Sequence, residues 1–355
     1  MLTVHEVLER QRARVAAVEA QTQQTTTTIQ ASHTDDRSRN VMRPRTFDEV
    51  VGQASAKSLM RAAVERARVT GEPVDHVLLV GPAGTGKTTF SHVIAHELDV
   101  RVFEVEAPVS FDTLMELREV MEDGDLLKLE EIHQQGIMER RGKSSATQPE
   151  VLYAVMEDRV IPTQSGILPF PRITIVGTTT DEGRLPDPFL DRFPLRPRLA
   201  PYGRDELVVI AQRNAASLGL QMDDRAADMV AGACRGVPRV VNNLVKNAGL
   251  FAFGYITTQN IEKVLEVNGI AADGLTPDMQ AMLKFLRYRG ARTVKGEVRY
   301  QASVGTIATA IGKSRDSKAI NLRVEPFLIE QGYVQVAHGG RLLTDAGIAR
   351  AEALA

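Results

Sequence analysis

The chain has 355 residues, which is enough for two or three domains with separate cores. Its 43 Lys and Arg residues nearly balance 45 Asp and Glu residues, so net charge alone indicates neither nucleic-acid binding nor its absence. The single cysteine, Cys234, excludes an internal disulfide and a cysteine-rich zinc site. No apolar run approaches the ~18 residues that span a membrane, so we expect a cytoplasmic protein with no membrane partner.

Residues 1–40 predict an N-terminal tail and linker. Apolar residues recur at roughly helical spacing in residues 1–21, and a polar stretch that includes four consecutive threonines follows up to Asn40. A short amphipathic helix that docks on a partner is the alternative, but no sequence feature identifies such a partner.

Residues 41–200 predict an α/β domain, because strands and helices alternate as they do when a parallel sheet is covered on both faces. The candidate strands are residues 76–80, 101–105, 126–129 and 172–177. The candidate helices are residues 53–69, 87–98, 111–121 and 149–157. An exposed basic loop is predicted around residues 139–145 and a short hairpin at residues 160–168.

A complete phosphate-binding motif, G-x-x-x-x-G-K-[ST], runs from Gly81 to Thr88 between the first of these strands and a helix. Glycines at 81, 84 and 86 let backbone N–H groups close around phosphates, and the helix N-terminus adds partial positive charge. Lys87 is predicted to reach the β- and γ-phosphates, and the Thr88 hydroxyl is predicted to hold Mg²⁺. The sequence therefore predicts a site for ATP or ADP with Mg²⁺.

A second acidic motif is predicted at Glu130 and Glu131, where an apolar strand ends in two carboxylates. Glu130 would support the metal, and Glu131 would polarise the attacking water. Lys128 interrupts this strand, where an unpaired ammonium is costly. It could extend to solvent, pair with an acid such as Glu157 or Asp158, or mark a weakened site.

Three later residues fit an oligomeric ATPase in their order along the chain. Thr179 ends another central strand, where a hydroxyl can sense the γ-phosphate and position water. Arg192 lies near a domain edge and is a candidate finger that acts across a subunit boundary. Arg239 begins a helix of the next domain, where it could bridge the γ-phosphate.

The remaining chain predicts two smaller domains, a helical lid at residues 201–273 and a winged helix at residues 274–355. Helical periodicity dominates the first, whereas the second combines helices and turns with a closing hairpin at residues 333–343. Residues 284–341 hold eleven Lys and Arg residues against four acids, which favours contact with DNA phosphates. Three of these cations, Lys313, Arg315 and Lys318, lie on or beside the central turn and are candidate DNA contacts.

These motifs together resemble the RuvB-type Holliday-junction branch-migration motors, a family of AAA+ ATPases. The resemblance covers most of the chain, and the match in the winged helix lies outside the shared ATPase core. It is carried by residues 43–53, 75–79, 81–88, 130–133, 154–158, 235–239 and 325–333.

The resemblance implies a hexameric ring that encircles duplex or four-way-junction DNA and moves it by ATP hydrolysis. By matching motif positions, Met42 and Arg43 would lie on the adenine side of the nucleotide, and Thr89 would join the phosphate cradle. Tyr202 and Arg239 would complete the pocket from the lid. Arg341 in the wing hairpin matches a DNA-contacting arginine.

Four departures from the family pattern qualify this expectation. Leu190 replaces the first arginine of the finger motif, Glu130 and Lys128 alter the acidic motif, and Val336 replaces a second wing arginine. The hairpin after Asp158 is shorter than the one that engages the partner RuvA in the family, which weakens the case for a RuvA-like partner.

Three hypotheses about function remain open from the sequence. The leading one is an ATP-driven DNA motor of the branch-migration type. The second is an AAA+ loader or remodeller that uses ATP to assemble a replication or recombination protein on DNA. The third is a catalytically weak, nucleotide-gated DNA-binding scaffold, which the altered residues 128, 130 and 190 favour.

Overall fold

The computed structural model describes residues 30–32, 41–135, 149–294, 297–313 and 320–355. Its contacts divide the chain into two compact units, Met1–Ala200 and Pro201–Ala355. Most of the predicted N-terminal tail and the predicted basic loop at residues 139–145 lie outside the described residues. Within the described part of the chain, no helix is long and apolar enough to span a membrane.

The first unit alternates strands and helices, as the sequence predicts. Its strands are β1 (Gln30–Ser32), β2 (Val77–Val80), β3 (Val102–Glu106), β4 (Leu126–Glu130), β5 (Val160–Thr163), β6 (Gly166–Pro169) and β7 (Thr174–Thr179). Its helices are α1 (Ala54–Thr70), α2 (Lys87–Leu98), α3 (Phe111–Val120), α4 (Pro149–Glu157) and α5 (Asp187–Leu190), and a 3-10 turn covers Glu182–Arg184.

The central sheet has the order β1-β3-β4-β7-β2, with β1 antiparallel to β3 and the other neighbours parallel. Because side chains alternate along a strand, β4 serves two cores. Leu126 packs on the face that carries α1 and α2, whereas Leu127 and Leu129 pack with α3 and α4 on the other face. Both faces are covered, which confirms the predicted doubly covered α/β fold.

The last central strand begins two residues later than predicted. Arg172 belongs to the preceding turn, where its backbone N–H donates to Asp123 and its guanidinium pairs with Asp123 and Glu72. The strand β7 then starts at Thr174 and reaches Thr179, so Thr179 is its last residue.

The lid half of the second unit consists of α6 (Arg204–Ser217), α7 (Asp224–Ala233), α8 (Pro238–Gly249) and α9 (Thr258–Val267). Two-residue strands β8 (Gln221–Met222) and β9 (Tyr255–Ile256) pair in parallel between these helices. Helical periodicity predicts only helices for this lid, so the two short strands are an addition. The helix α8 ends at Gly249, after which the chain turns towards β9.

The C-terminal half of the second unit contains both helices and strands. Its helices are α10 (Pro277–Arg289), α11 (Val304–Ala310), a π-helical turn (Ile320–Val324), α12 (Glu325–Glu330) and α13 (Asp345–Ala353). Its strands are β10 (Ala291–Val294), β11 (Glu297–Ala302), β12 (Val334–Ala337) and β13 (Gly340–Leu343), in the sheet order β10-β11-β13-β12.

The hairpin of β12 and β13 after α12 agrees with the predicted winged helix. The sequence predicts no strand between residues 290 and 303, where β10 and β11 extend the wing into a four-stranded sheet. Apolar residues of α10, α11, α12 and this sheet form one core around Leu286, Ile307 and Leu328. The boundary between lid and winged helix near residue 273 stays a prediction, because both halves belong to one compact unit.

Candidate nucleotide site and DNA interface

The phosphate-binding loop connects β2 to α2 and is built to approach a ligand with its backbone. Gly84 and Gly86 have φ values of 82° and 101°, which glycine adopts without strain. A Cβ at Gly81 would lie 2.4 Å from the Leu199 carbonyl oxygen, so any larger residue would force the loop open. The loop therefore requires glycine at these three positions.

Lys87 begins α2 and lies almost fully buried beneath the loop. Its Nζ donates to the carbonyl oxygens of Gly81, at 2.7 Å, and Pro82, at 3.0 Å. The Thr85 hydroxyl donates to the Pro82 carbonyl at 2.9 Å. The two bonds from Nζ hold the ammonium group at the N-terminus of α2. The charge of the ammonium and the partial positive charge of the helix N-terminus both favour binding of a phosphate.

The two predicted acids, Glu130 and Glu131, lie at the carboxyl end of β4, directly beside the phosphate-binding loop. The Thr88 hydroxyl donates to Oε1 of Glu130 at 3.3 Å, so the two predicted metal ligands face each other. Hydroxyl and carboxylate oxygens are the hard donors that Mg²⁺ prefers, together with nucleotide phosphates. Across the described ranges no group of three or more His, Cys, Asp or Glu side chains could hold a metal ion alone.

Glu131 and Thr179, from neighbouring strands, meet at the imidazole of His133. Nδ1 of His133 lies 3.2 Å from Oε2 of Glu131 and 3.2 Å from the Thr179 hydroxyl. Glu131 has a φ of 47°, a left-handed conformation that is uncommon outside glycine. The structure thus joins the predicted water-activating carboxylate to the predicted γ-phosphate sensor. His133 is the linking residue that the sequence reasoning missed, although it lies within the acidic motif.

Lys128 pairs with acids, as one of the three alternatives predicted, but its partners are neither Glu157 nor Asp158. Its ammonium is fully buried, 2.6 Å from Oε1 of Glu130 and 3.0 Å from Oε2 of Glu104. Glu104 is its register partner on β3, and β3 and β4 are parallel neighbours. The possible extension of Lys128 to solvent is excluded as well.

Glu104 also receives a contact from α2, because Nε2 of His92 lies 2.9 Å from its Oε1. The hydrogen bond with His92 and the charge of Lys128 lower the pKa of Glu104 to about 2, against the opposing effect of its burial. Burial lowers the pKa of Arg43, and the carboxylates of Glu104 and Glu130 oppose this shift. Arg43 therefore lies within electrostatic reach of the same acids. Its predecessor Met42 is buried.

Arg192, the predicted finger, makes several contacts within this chain. Its guanidinium lies 2.9 Å from Glu157 and 4.3 Å above the centre of the Tyr153 ring, and it donates to the Pro188 carbonyl. Its Nε is buried without a hydrogen-bond partner. Leu190, at the family's first arginine position, packs against the apolar core. These contacts engage the guanidinium within this chain, and the finger role of Arg192 stays a prediction.

In the second unit, Tyr202 lies beside the segment that starts α8. Its N–H donates to the Gly236 carbonyl at 2.9 Å, and a Cβ at Gly236 would lie 2.8 Å from Cβ of Pro201. Arg239 stands exposed in the first turn of α8. The structure brings Tyr202 close to the predicted sensor segment, and its role towards the nucleotide stays a prediction.

Arg235 precedes this helix in a left-handed conformation and points into the winged-helix half. Its Nη1 lies 3.6 Å from the Met279 sulfur, and its guanidinium lies 5.5 Å from the centre of the Phe327 ring. Burial lowers its pKa. A Cβ at Gly274 would lie 2.8 Å from Cγ of Arg235, so the turn between the two halves packs directly on this side chain.

The two predicted DNA contacts that the structure describes are both paired with acids. Arg341 forms an ion pair with Glu325, and Nζ of Lys313 lies 2.9 Å from Asp278. The hydrogen bond with Glu325 raises the pKa of Arg341. Arg315 and Lys318 lie outside the described residues. Glu325 therefore offsets the charge of Arg341, and contact of Arg341 with DNA stays a prediction.

Two family models match the chain. The model "Holliday junction DNA helicase RuvB P-loop domain" covers residues 42–199, and the model "RuvB AAA lid domain" covers residues 202–269. Both matches agree with the fold of the corresponding residues.

Curated relatives and solved structures extend this similarity over most of the chain. The Holliday junction branch migration complex subunits RuvB of Kosmotoga olearia and Rubrobacter xylanophilus are 32% and 34% identical, over 85% of this chain and 87% and 84% of theirs. The Thermotoga maritima RuvB Holliday junction branch migration motor is 30% identical, with a TM-score of 0.72 over 88% of this chain and 99% of that one. The chain belongs to the RuvB family of AAA+ ATPases.

Proposed function

We propose that this protein is an ATP-hydrolysing motor that moves duplex or four-way-junction DNA, in the manner that the names of its relatives state. The observation that carries the proposal is the convergence of Lys87, Thr88, Glu130 and the Glu131–His133–Thr179 group at one end of the sheet. A winged helix in the same chain supplies a DNA-binding module.

The chemistry follows from this chain's own side chains. Gly81, Gly84, Gly86 and Thr89 belong to the cradle in which backbone N–H groups and Lys87 hold the nucleotide phosphates. A bound Mg²⁺ would supply positive charge to neutralise charge that develops on the phosphates. Thr88 and Glu130 would hold that ion.

The water-activating group is Glu131, which accepts the proton of the attacking water while His133 fixes the orientation of the carboxylate. Thr179 would position the same water or the γ-phosphate. Met42 and Arg43 would lie on the adenine side, and Tyr202 and Arg239 would complete the pocket from the lid.

The resemblance to RuvB implies a homohexameric ring, in which the finger group of one subunit acts at the site of the next. Leu190 provides no guanidinium for that purpose, and Arg192 is held by Glu157 and Tyr153. Slow turnover is therefore part of the proposal. The short β5–β6 hairpin, with a two-residue turn between Thr163 and Gly166, favours DNA engagement without a RuvA-like partner.

The second candidate function is a nucleotide-gated DNA-binding scaffold with little turnover. It is favoured by the ammonium of Lys128 on Glu130 and by the retained Arg192. Such a protein would bind ATP, change its affinity for DNA and release neither ADP nor phosphate at a useful rate.

Steady-state ATP turnover with no DNA, linear duplex and a four-way junction separates the two functions. The motor predicts that DNA, the junction above all, stimulates turnover, and that Lys87→Ala reduces turnover to background in all three conditions. DNA binding with turnover no higher than in Lys87→Ala would rule out the motor and leave the scaffold.

A further inference from the structure

The charged group beneath the phosphate-binding loop consists of Lys128, Glu104, Glu130 and Arg43. Lys128 and Glu130 lie on the face of the sheet that carries α2, because residues 126, 128 and 130 alternate with the apolar residues of the other face. Glu104 and Arg43 lie near the same face. Lys128 has no exposed surface, whereas Glu130 is partly exposed and reaches the Thr88 hydroxyl.

One carboxylate oxygen of Glu130 has two competing partners. Oε1 lies 2.6 Å from Nζ of Lys128 and 3.3 Å from the Thr88 hydroxyl oxygen. This is the side of Glu130 that a metal ion held by Thr88 would contact. The Thr88 hydroxyl and the Glu130 carboxylate are therefore oxygen donors of the kind that Mg²⁺ prefers. The Lys128 ammonium, however, holds a fixed positive charge beside the same carboxylate oxygen.

The ammonium cannot leave this position at low cost. Glu104 holds it from the neighbouring strand at 3.0 Å, and the strands on both sides of β4 enclose its stem. Because Glu104 compensates the buried ammonium, Lys128 can stay in place however the partly exposed Glu130 carboxylate turns, whereas moving the ammonium itself would break both pairs. Lys128 therefore remains beside Glu130 when a nucleotide arrives.

Two negative and two positive charges thus balance within this group before any metal ion enters. A Mg²⁺ ion near Thr88 would meet the Glu130 carboxylate, whose charge Lys128 already offsets. The Lys128 ammonium would also repel the ion. The nucleotide phosphates depend instead on Lys87 and on the N-terminus of α2, which remain available without a metal ion.

We propose that Lys128 is a built-in counter-cation of Glu130, so that the site binds nucleotide with little contribution from Mg²⁺ and takes up Mg²⁺ only weakly. The inference rests on the proposed nucleotide site, and it names the specific residue that distinguishes this site. It concerns binding and therefore does not depend on the rate of turnover.

The decisive measurement is equilibrium binding of a fluorescent ADP analogue to the purified full chain, in EDTA and across a Mg²⁺ titration. We expect the dissociation constant to change by less than about threefold between EDTA and saturating Mg²⁺, because the phosphates are held by Lys87 and backbone groups. A tightening of more than about tenfold by Mg²⁺ would overturn the inference without any variant.

The second part of the experiment uses a double variant that lacks the two buried charges. Lys128→Ile combined with Glu104→Val removes both buried charges together, which avoids leaving either one unpaired. We expect the Mg²⁺ midpoint, followed by nucleotide fluorescence and by displacement of paramagnetic Mn²⁺, to fall at least about tenfold. The matched control removes the Arg350–Asp273 ion pair of the second unit by Arg350→Met with Asp273→Asn, and should leave the midpoint unchanged.

The outcomes separate this inference from the proposed function. A double variant that is folded and titrates Mg²⁺ as the unchanged protein does would contradict the inference. Absence of nucleotide binding in both buffers would remove the inference and the motor together. Nucleotide binding with the expected Mg²⁺ profile, but without DNA-stimulated turnover, would support the inference and reject only the motor.

Discussion

The Arg341 guanidinium donates two hydrogen bonds to the Glu325 carboxylate, with Nε 2.5 Å from Oε2 and Nη2 2.9 Å from Oε1. Both side chains are largely buried. Arg341 lies on the wing strand β13 and Glu325 begins α12, so the pair ties the wing to the helix that precedes it. A bidentate arginine pair fixes geometry as well as charge.

Removing the arginine alone should therefore destabilise the winged helix. We expect Arg341→Met to lower the free energy of unfolding by about 3 kcal/mol, because it leaves the Glu325 carboxylate buried without a partner. Adding Glu325→Leu should restore most of that loss. Urea unfolding followed by circular dichroism measures both variants. If Arg341→Met keeps full stability but weakens DNA binding and reduces its salt dependence, Arg341 is a phosphate contact instead.

We expect variants of the Glu131–His133–Thr179 group to lose ATP turnover while they retain nucleotide binding. Glu131→Gln keeps the shape of the side chain but cannot accept a proton, so ATP turnover should fall at least about 100-fold while the ADP dissociation constant stays within about twofold. His133→Asn should cause a smaller loss, about tenfold, because the carboxylate remains but loses its orientation. Turnover that is unaffected in both variants would show that water is activated elsewhere.

Position 190 offers a gain-of-function prediction. Leu190→Arg restores a guanidinium at the family's first arginine position and should raise DNA-stimulated turnover by about tenfold or more, since finger arginines contribute far larger factors elsewhere. Because such a group acts on a neighbouring subunit, the gain should grow with protein concentration. Leu190→Met is the matched control for a change in core packing, and an equal gain in it would exclude the finger explanation.

Cys234 is predicted to be chemically silent in the folded protein. It is completely buried, and burial raises the pKa of its thiol to about 12, so almost no thiolate forms at pH 8. Labelling by a chromogenic disulfide reagent should be slow at pH 8 and should become fast on urea unfolding, where the pKa returns to its ordinary range. Rapid labelling of native protein would indicate that α7 opens locally.

Local sequence patterns predicted most of the ATPase domain. The phosphate-binding loop, the strand that ends in Glu130 and the helices of the first unit follow from periodicity and from turn chemistry within a short window. Glu131 and Thr179 were each predicted to act on the attacking water, and they meet because neighbouring parallel strands end at a common edge. For the same reason the contact between Thr88 and Glu130 agrees with the expectation.

The contacts that the sequence did not predict share a physical cause, since each depends on a partner that no local pattern reveals. Lys128 pairs with Glu104 through the register of two strands, and Arg341 pairs with Glu325 across a turn and a hairpin. Alternation of β-branched or aromatic residues with polar ones across residues 291–302 was a usable signal for β10 and β11 that the sequence analysis did not take up. Arg192 lacked any local sign that Glu157 and Tyr153 would retain it.

Arg235 gives the second unit a mechanical property. Its backbone leads into α8, the helix that carries Arg239, while its guanidinium rests on Phe327 and Met279 in the winged-helix core. A displacement of the start of α8 would therefore reach the winged-helix core through the Arg235 side chain. A change of conformation at Arg239 would be transmitted by direct contact between the two halves of this unit rather than through a linker.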